Sequence, residues 1–187
     1  MLTAIKMKTD INEEVRIPEG FEVFKEGHLI RVKGPKGEVS KRLAGPGVEI
    51  KVEGGSVKIS SKKATKREKN LVYTIKSHIK NLLRGATEGY VYKLKICPGH
   101  FPMNVSVDKD FFIIKNFFGE KTPRKLKISQ GVKVKIDGKD VYVEGIDKEV
   151  TSQTAANIEK MTRIKQRDKR IFQDGIYITS KAGKEIK

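Results

Sequence analysis

From residue 160 onward the chain sets out side chains suited to one kind of chemistry, the holding of a polyanion. Lys160, Arg163, Arg167 and Arg170 stand at i, i+3, i+7 and i+10, the spacing of one helix face. From Arg163 on, eight bases (Arg163, Lys165, Arg167, Lys169, Arg170, Lys181, Lys184 and Lys187) stand against three acids. A solvated helix face usually mixes signs at i,i+4 for mutual support. Here the sign is uniform, so the repulsion calls for an external anion, and phosphate is the candidate. An arginine fork can span a phosphate with two hydrogen bonds. Gly175 and Gly183 leave backbone amides open to a closely approaching phosphodiester. Phe172 and Tyr177 have faces on which an unpaired base could stack, although their alternation with Ile171, Ile176 and Ile178 favours packing beside a sheet.

Other reactive residue types form no constellation. Cys97 and His100 have a C-x-x-H spacing, but no second pair completes a four-ligand zinc site, and a strand end with a Pro-Gly turn explains them more economically. His28 falls in a strand and His78 in a helix, with no cysteine or serine placed as a nucleophile beside them. Asp137 and Asp140 flank a turn. The stretch GPKGEVSK lacks the G-x-x-x-x-G-K-[ST] pattern and lies between strands, so Gly34, Pro35 and Gly37 read as a hairpin turn. The expectation is a binding protein and not an enzyme, with no metal, no cofactor and no small-molecule substrate.

Composition points the same way. The 187 residues carry 40 Lys and Arg against 23 Asp and Glu, a net charge of +17, with 37% hydrophobic content, enough for one or two small domains. Residues 1–90 hold 19 bases and 11 acids and residues 91–187 hold 21 and 12, so the excess belongs to the folded body. A field of this size concentrates polyanions around the protein. The single Cys97 excludes an internal disulfide and fits a reducing cytoplasm. No apolar run approaches the length of a membrane span, and MLTAIKMKTD lacks the apolar centre of a secretory signal, so no membrane partner is expected.

The elements that must position the cations read as follows. Residues 151–187 form one helix, starting after Glu149, that runs straight into a basic, glycine-broken tail. Residues 1–14 are a short helix or a loosely held arm. From Val15 short alternating runs (VRI, FEVF, HLIRVKG, GEVSKRL, VEIKV, SVKIS) mark strands on turn signals, with Gly54-Gly55 as a tight hairpin. Residues 64–85 predict an amphipathic helix with Leu71, Ile75, Ile79 and Leu82 on the apolar stripe. Lys69, Lys76, Lys80 and Arg84 line another face, turned equally well to an anion or to water, and Gly85 closes the helix as its C′ residue.

Then the order restarts with YVYKLKICPG, MNVSV, FFIIKNFFGE, PRKLKI, VKVKI and VYVEG. HLIRVKGPKGEVSKRL matches FFIIKNFFGEKTPRKL, and VEIKVEGGSVKI matches VKVKIDGKDVYV with Asp137-Gly138 where the first has Gly54-Gly55. The prediction is therefore an α+β fold of two tandem similar modules, each a mostly antiparallel sheet packed by one helix. Residues 1–88 form the first module and residues 89–187 the second, with the basic C-terminal tail. Only the second runs on into IYITSKAGKEIK, so it is expected to hold the principal anchor, the first serving as a spacer or secondary surface.

The segment RIKQRDKRIFQDGIYITSKAGKE, the VKGPKGE turn, the HFPMNV stretch after Cys97 and the tandem modules resemble the L-six family of large-subunit ribosomal proteins. The likeness covers nearly the whole chain and is most specific over residues 170–181. Bacterial members resemble a tyrosine, a lysine and a KG pair in that tail, so the QDG at Gln173 to Gly175 favours the archaeal and eukaryotic form, called L-nine in eukaryotes. The resemblance implies a cytoplasmic, structural constituent of the large ribosomal subunit that supports translation. Its partners would be the large (23S-type) rRNA near the base of the lateral stalk, close to where translational GTPases dock, and the neighbouring large-subunit proteins there. Carried over by position, Arg163, Lys165, Arg167, Lys169, Arg170, Gly175, Lys181 and Lys184 fall in the rRNA-contact segment. A-form RNA hides its base edges in a deep major groove, so such a protein touches phosphates and 2′-hydroxyls and reads shape. The alternative is a free RNA-binding protein or RNA chaperone, which binds many sequences and loses affinity steeply with salt. Replacing Arg163, Arg167 and Arg170 by Ala is expected to weaken rRNA binding more than replacing Lys69, Lys76 and Lys80.

Overall fold

A computed structural model describes residues 9–53, 55–168 and 170–186 of the chain. It divides into two compact units, Met1–Glu88 and Gly89–Lys187. In the first unit come β1 (Thr9–Arg16), β2 (Glu22–Glu26), β3 (Leu29–Gly34), β4 (Gly37–Arg42), β5 (Glu49–Glu53), β6 (Ser56–Ala64) and α1 (Lys66–Thr87). The second has β7 (Tyr90–Cys97), β8 (Asn104–Asp108), β9 (Phe111–Lys115), β10 (Arg124–Lys127), β11 (Val132–Asp137), β12 (Asp140–Gly145) and α2 (Lys148–Met161), and then adds β13 (Gly175–Lys181) and β14 (Lys184–Glu185).

The repeat predicted from sequence is visible strand for strand. The first unit has sheets ordered β1-β6-β5 and β2-β3-β4, and the second has β11-β12-β7-β13-β14 and β10-β9-β8. Strand β7 thus takes the place of β1, β12 of β6 and β11 of β5, and each described pairing is antiparallel. The hairpin of β11 and β12 closes on the pair Asp137 and Asp140, so its central residues are Gly138 and Lys139, one step on from the predicted Asp137-Gly138. Gly138 takes φ +56° there, a conformation that costs glycine nothing. In the first unit the matching pair is Glu53 and Ser56; Gly54 lies outside the described residues.

Alternation along the strands builds each core. In the second unit Tyr90, Tyr92, Leu94 and Ile96 of β7 and Val141 and Val143 of β12 are buried, pointing to the face that α2 covers with Thr151, Thr154, Ala155 and Ile158. Those helix residues recur at i, i+3, i+4 and i+7, the stripe a core-facing helix needs. Phe112, Ile114, Phe117 and Ile176 belong to the same cluster, each contributing about 1.5–3 kcal/mol by leaving water.

Three features differ from the sequence expectations in and around the first unit. Residues 9–14 belong to strand β1, paired with β6; Val15 is its one buried residue, so the period-2 signal was nearly all polar. Residues 1–8 lie outside the described residues. Helix α1, opened by a capping box between Thr65 and Glu68, runs past Gly85 to Thr87, and the left-handed residue after it is Gly89 at φ +74°. It continues because Ala86 is buried under the β3–β4 turn, where a Cβ on Gly34 would meet the Ala86 Cβ at 2.9 Å and the Lys36 amide donates to the Ala86 carbonyl at 3.1 Å. The α1 core face also includes Val72, fully buried, with Leu71 only half-buried. No described helix is long and apolar enough to cross a membrane.

Candidate nucleic-acid interface

The cations were expected on one helix face, and the structure corrects this: α2 stops at Met161. Lys, Arg and Gln would sustain a helix by propensity, but partners from other elements end this one. The Thr162 hydroxyl donates to the Glu159 carbonyl at 3.0 Å and accepts the buried Ile176 amide at 3.0 Å. The Arg124 guanidinium on β10 donates to the Met161 carbonyl, lies 4.3 Å over the Phe117 ring and is held by Glu120, whose Oε2 accepts from Nε at 2.8 Å. The Glu159 carboxylate accepts the Ile178 amide at 3.1 Å. Two amides of β13 that β7 does not use are therefore satisfied by the helix end, which guards that stretch of strand edge.

What was expected as a tail, residues 175–187, is in its described part strand and turn. Ile176 is fully buried and β13 pairs with β7 from Gly175 opposite Cys97 to Lys181 opposite Tyr92. The apolar alternation of Ile176 and Ile178 outweighs the terminal charges because it fills the core that Leu94 and Ile158 also line.

The described residues between 163 and 174 form an irregular connection with its own internal order. The Asp168 carbonyl accepts the amides of Ile171 at 3.2 Å and Phe172 at 2.9 Å, and its carboxylate takes the Arg170 amide at 2.9 Å and the Arg170 guanidinium at 2.8 Å. The Arg170 side chain, 90% exposed, holds the Asp168 carboxyl below its ordinary value, and Asp168 raises Arg170 in turn. At the end of the connection Asp174 is 2% exposed. It accepts the Gly99 amide at 2.6 Å, the His100 amide at 2.7 Å and the His100 ring Nδ1–H at 2.7 Å. Burial alone would push this carboxyl up, but the bonds from the His100 ring and the two amides outweigh it and bring it to about 2.

That clamp fixes one member of an aromatic cluster. The His100 ring lies 4.8 Å from Phe172, Phe172 lies 5.9 Å from Phe118, and the Arg167 guanidinium sits over both phenylalanines at 5.0 and 5.4 Å. Phe118 comes from residues 116–123 between β9 and β10, where the first unit turns in residues 35–36 alone.

The structure gathers some predicted site residues and separates others. Lys160, Arg163, Lys165 and Arg167 come together with Arg124 around a recess of about 540 Å³ walled by Phe117, Phe118, Glu120, Met161 and Ile164. Glu120 is engaged by Arg124, which lowers its carboxyl against the opposing effect of burial. Lys160, Arg163 and Lys165 are exposed and have no ion pair among the described residues. Arg170 is not part of the wall and is paired to Asp168. Lys181 and Lys184 face one another across the β13–β14 turn, away from the recess lining, with Ala182 at φ +50° and Gly183 at φ +83° between them. Gly183 is exposed, and nothing lies within 4 Å of where its Cβ would be. Gly175 is instead buried, and a Cβ on it would meet the Tyr177 ring at 3.0 Å; its bareness serves packing, which corrects the expectation of an open amide there. Lys169 and Lys187 lie outside the described residues.

Arg124, His100, Phe118 and Asp174 were not among the predicted site residues. Their contacts run between segments far apart in the chain, such as Asp174 with His100, so no local pattern marked them as a set. On α1 the second stripe is partly neutralised: Lys76 pairs with Glu13, and Arg84 with Glu88 at 3.3 Å, while Lys69 and Lys80 stay exposed.

Comparison with known proteins agrees with the doubled architecture. The model of the family described as ribosomal protein L6 matches residues 17–89 and again residues 101–175. A large ribosomal subunit protein uL6 of Methanococcus vannielii is 47% identical over 176 residues, covering 94% of this chain and 97% of that protein. The uL6 of Aeropyrum pernix is 50% identical over 167 residues, covering 89% and 92%, and that of Methanobrevibacter smithii is 44% identical over 171 residues, covering 91% and 96%. With its two repeats matched in turn and its length shared with all three relatives, the chain belongs to the ribosomal protein L6 family.

Proposed function

We propose that this large-subunit ribosomal protein works in the cytoplasm as a structural element that holds the large, 23S-type rRNA through residues 89–187. Residues 1–88 act as a spacer or secondary surface. The site of attachment is near the base of the lateral stalk, beside the region where translational GTPases dock and among neighbouring large-subunit proteins; this placement rests on the family likeness of the segment that carries the cations. The observation that supports RNA binding is the recess: Lys160, Arg163 and Lys165 converge there without a counter-charge among the described residues, and its one acid is taken up by Arg124. Cations so arranged gain by releasing the counterions of a phosphate backbone.

The test compares two triple variants of the full chain, K160A/R163A/K165A and K69A/K76A/K80A. The first should lower affinity for large-subunit rRNA more and flatten the dependence of log affinity on log salt by roughly three. It should also shed the protein from large subunits in a high-salt wash. Equal losses from the two variants would refute the assignment. A wild-type chain found mainly in a free cytosolic pool would favour the RNA-chaperone reading.

A further inference from the structure

We propose that the arginine-capped aromatic cluster of the second unit is a seat for one unpaired nucleobase of the bound RNA, directly beside the phosphate recess. This rests on the rRNA-binding reading and deepens it, because it states what kind of RNA the site takes: a strand with a base displaced from its helix.

Apart from His100, the cluster is built from what the second unit has and the first lacks. Residues 116–123 replace a two-residue turn, and residues 162–174 lead to a strand without a counterpart in the first unit. These two additions meet each other, with Phe118 from one and Arg167 and Phe172 from the other. They share the recess too, since Phe118 and Arg167 both line it.

Phe118 packs against the edge of the core without being buried in it. Phe117 is 2% exposed and its ring stands at 89° to that of Phe118, while Phe118, the next residue, stays half-buried at the edge of the core. The chain achieves this reversal with left-handed backbone at both Asn116 (φ +59°) and Phe118 (φ +52°), an unfavourable conformation for a bulky side chain. Phe172 is likewise half-buried, and Phe101 beside the cluster is 46% exposed. His100 is exposed, its Nδ1 fixed on Asp174, leaving Nε2 without a hydrogen bond among the described residues.

A half-open set of π faces capped by an exposed guanidinium suits a planar, electron-rich partner: stacking on aromatic rings and arginine is sequence-tolerant and available only to a base outside a duplex stack. The charge around it selects the occupant. Five cations and one engaged acid border the adjoining recess, which fits the phosphates on either side of such a base and disfavours an apolar peptide with basic flanks.

The experiment uses the full chain and two short hairpin RNAs, one fully paired and one with a single bulged 2-aminopurine. Wild type should bind the bulged hairpin roughly tenfold or more tightly than the paired one, with a change in 2-aminopurine fluorescence. The variants F172L and F118L/F172L keep apolar volume but remove the rings. They should bind both hairpins with the affinity that wild type shows for the paired one, and R167K should lose most of the preference while keeping its charge. Equal wild-type affinity for the two hairpins, still steeply dependent on salt, would overturn the base seat and leave the phosphate reading standing. A preference that survives F172L and F118L/F172L would place the base elsewhere and also overturn it, as would rings that serve only a neighbouring protein. Failure of folded wild type to bind either hairpin would overturn the RNA-binding reading beneath it.

Discussion

Replacing Asp174 by Asn probes the clamp that positions the aromatic cluster. The carboxylate is 2% exposed and receives three hydrogen bonds, from the amides of Gly99 and His100 and from the His100 ring. Its ionisation lies at about 2 against an ordinary 3.8, the net of burial, which raises it, and these bonds, which lower it further. A depressed carboxyl stabilises the fold fully above its unfolded value, and that contribution drains away as pH falls from 3.8 through about 2. The gap corresponds to about 2 kcal/mol. Asn preserves the shape but has one acceptor oxygen and no charge, so Asp174→Asn should destabilise the second unit by about 2 kcal/mol at pH 7, or roughly 10 °C in its melting. Urea unfolding followed by circular dichroism, at constant salt to screen the excess positive charge, would be run from pH 7 down to pH 2. The difference between wild type and variant should hold steady above about pH 5, shrink below pH 3.8 and fall to a small remainder by pH 2. A difference of unchanged size at the acid end, or none at pH 7, would refute this reasoning.

Two further substitutions test how α2 is held. Thr162→Val removes the hydroxyl that accepts the buried Ile176 amide and should cost about 1–3 kcal/mol in chemical denaturation; an unchanged midpoint would show that this amide finds another partner. Gly145→Ala would put a Cβ 2.3 Å from the Thr151 hydroxyl and should cost about 1–3 kcal/mol. Adding Thr151→Ala should recover part of the loss, and no recovery would place the clash elsewhere.

The elements that were legible in the sequence are those specified by their own residues. Alternating runs between glycines marked the hairpins, the Leu71 to Leu82 stripe marked α1, and the match of VEIKVEGGSVKI to VKVKIDGKDVYV marked the repeat. The residues that misled were governed by partners far along the chain. Lys160, Arg163, Arg167 and Arg170 keep helical spacing, yet Arg124 and the pairing of Thr162 with Ile176 end the helix before the last three. Gly85 resembled a helix stop, but the approach of Gly34 to Ala86 carries the helix onward. Strand β1 hid because all but one of its side chains reach some solvent. At the candidate site, local charge marked the cations of the recess. The rings and the buried acid arise from contacts such as Asp174 with His100, for which neither partner's neighbours leave a pattern.

Strand β13 also orders events during synthesis. Asp174 finds Gly99 across 75 residues of chain, so β7 emerges long before the strand that will lie against it. Everything that α1 and its sheets require has been made by Thr87, and the first unit can consolidate early. The second must wait with the slot for Ile176 vacant, and such non-local closure is slow and leaves apolar surface open in the meantime. A nascent or truncated copy would already carry Lys160, Arg163 and Lys165 without the docked strand that braces the end of α2. Unfinished molecules would then present the charge without the shape, giving assembly a physical basis for passing them over.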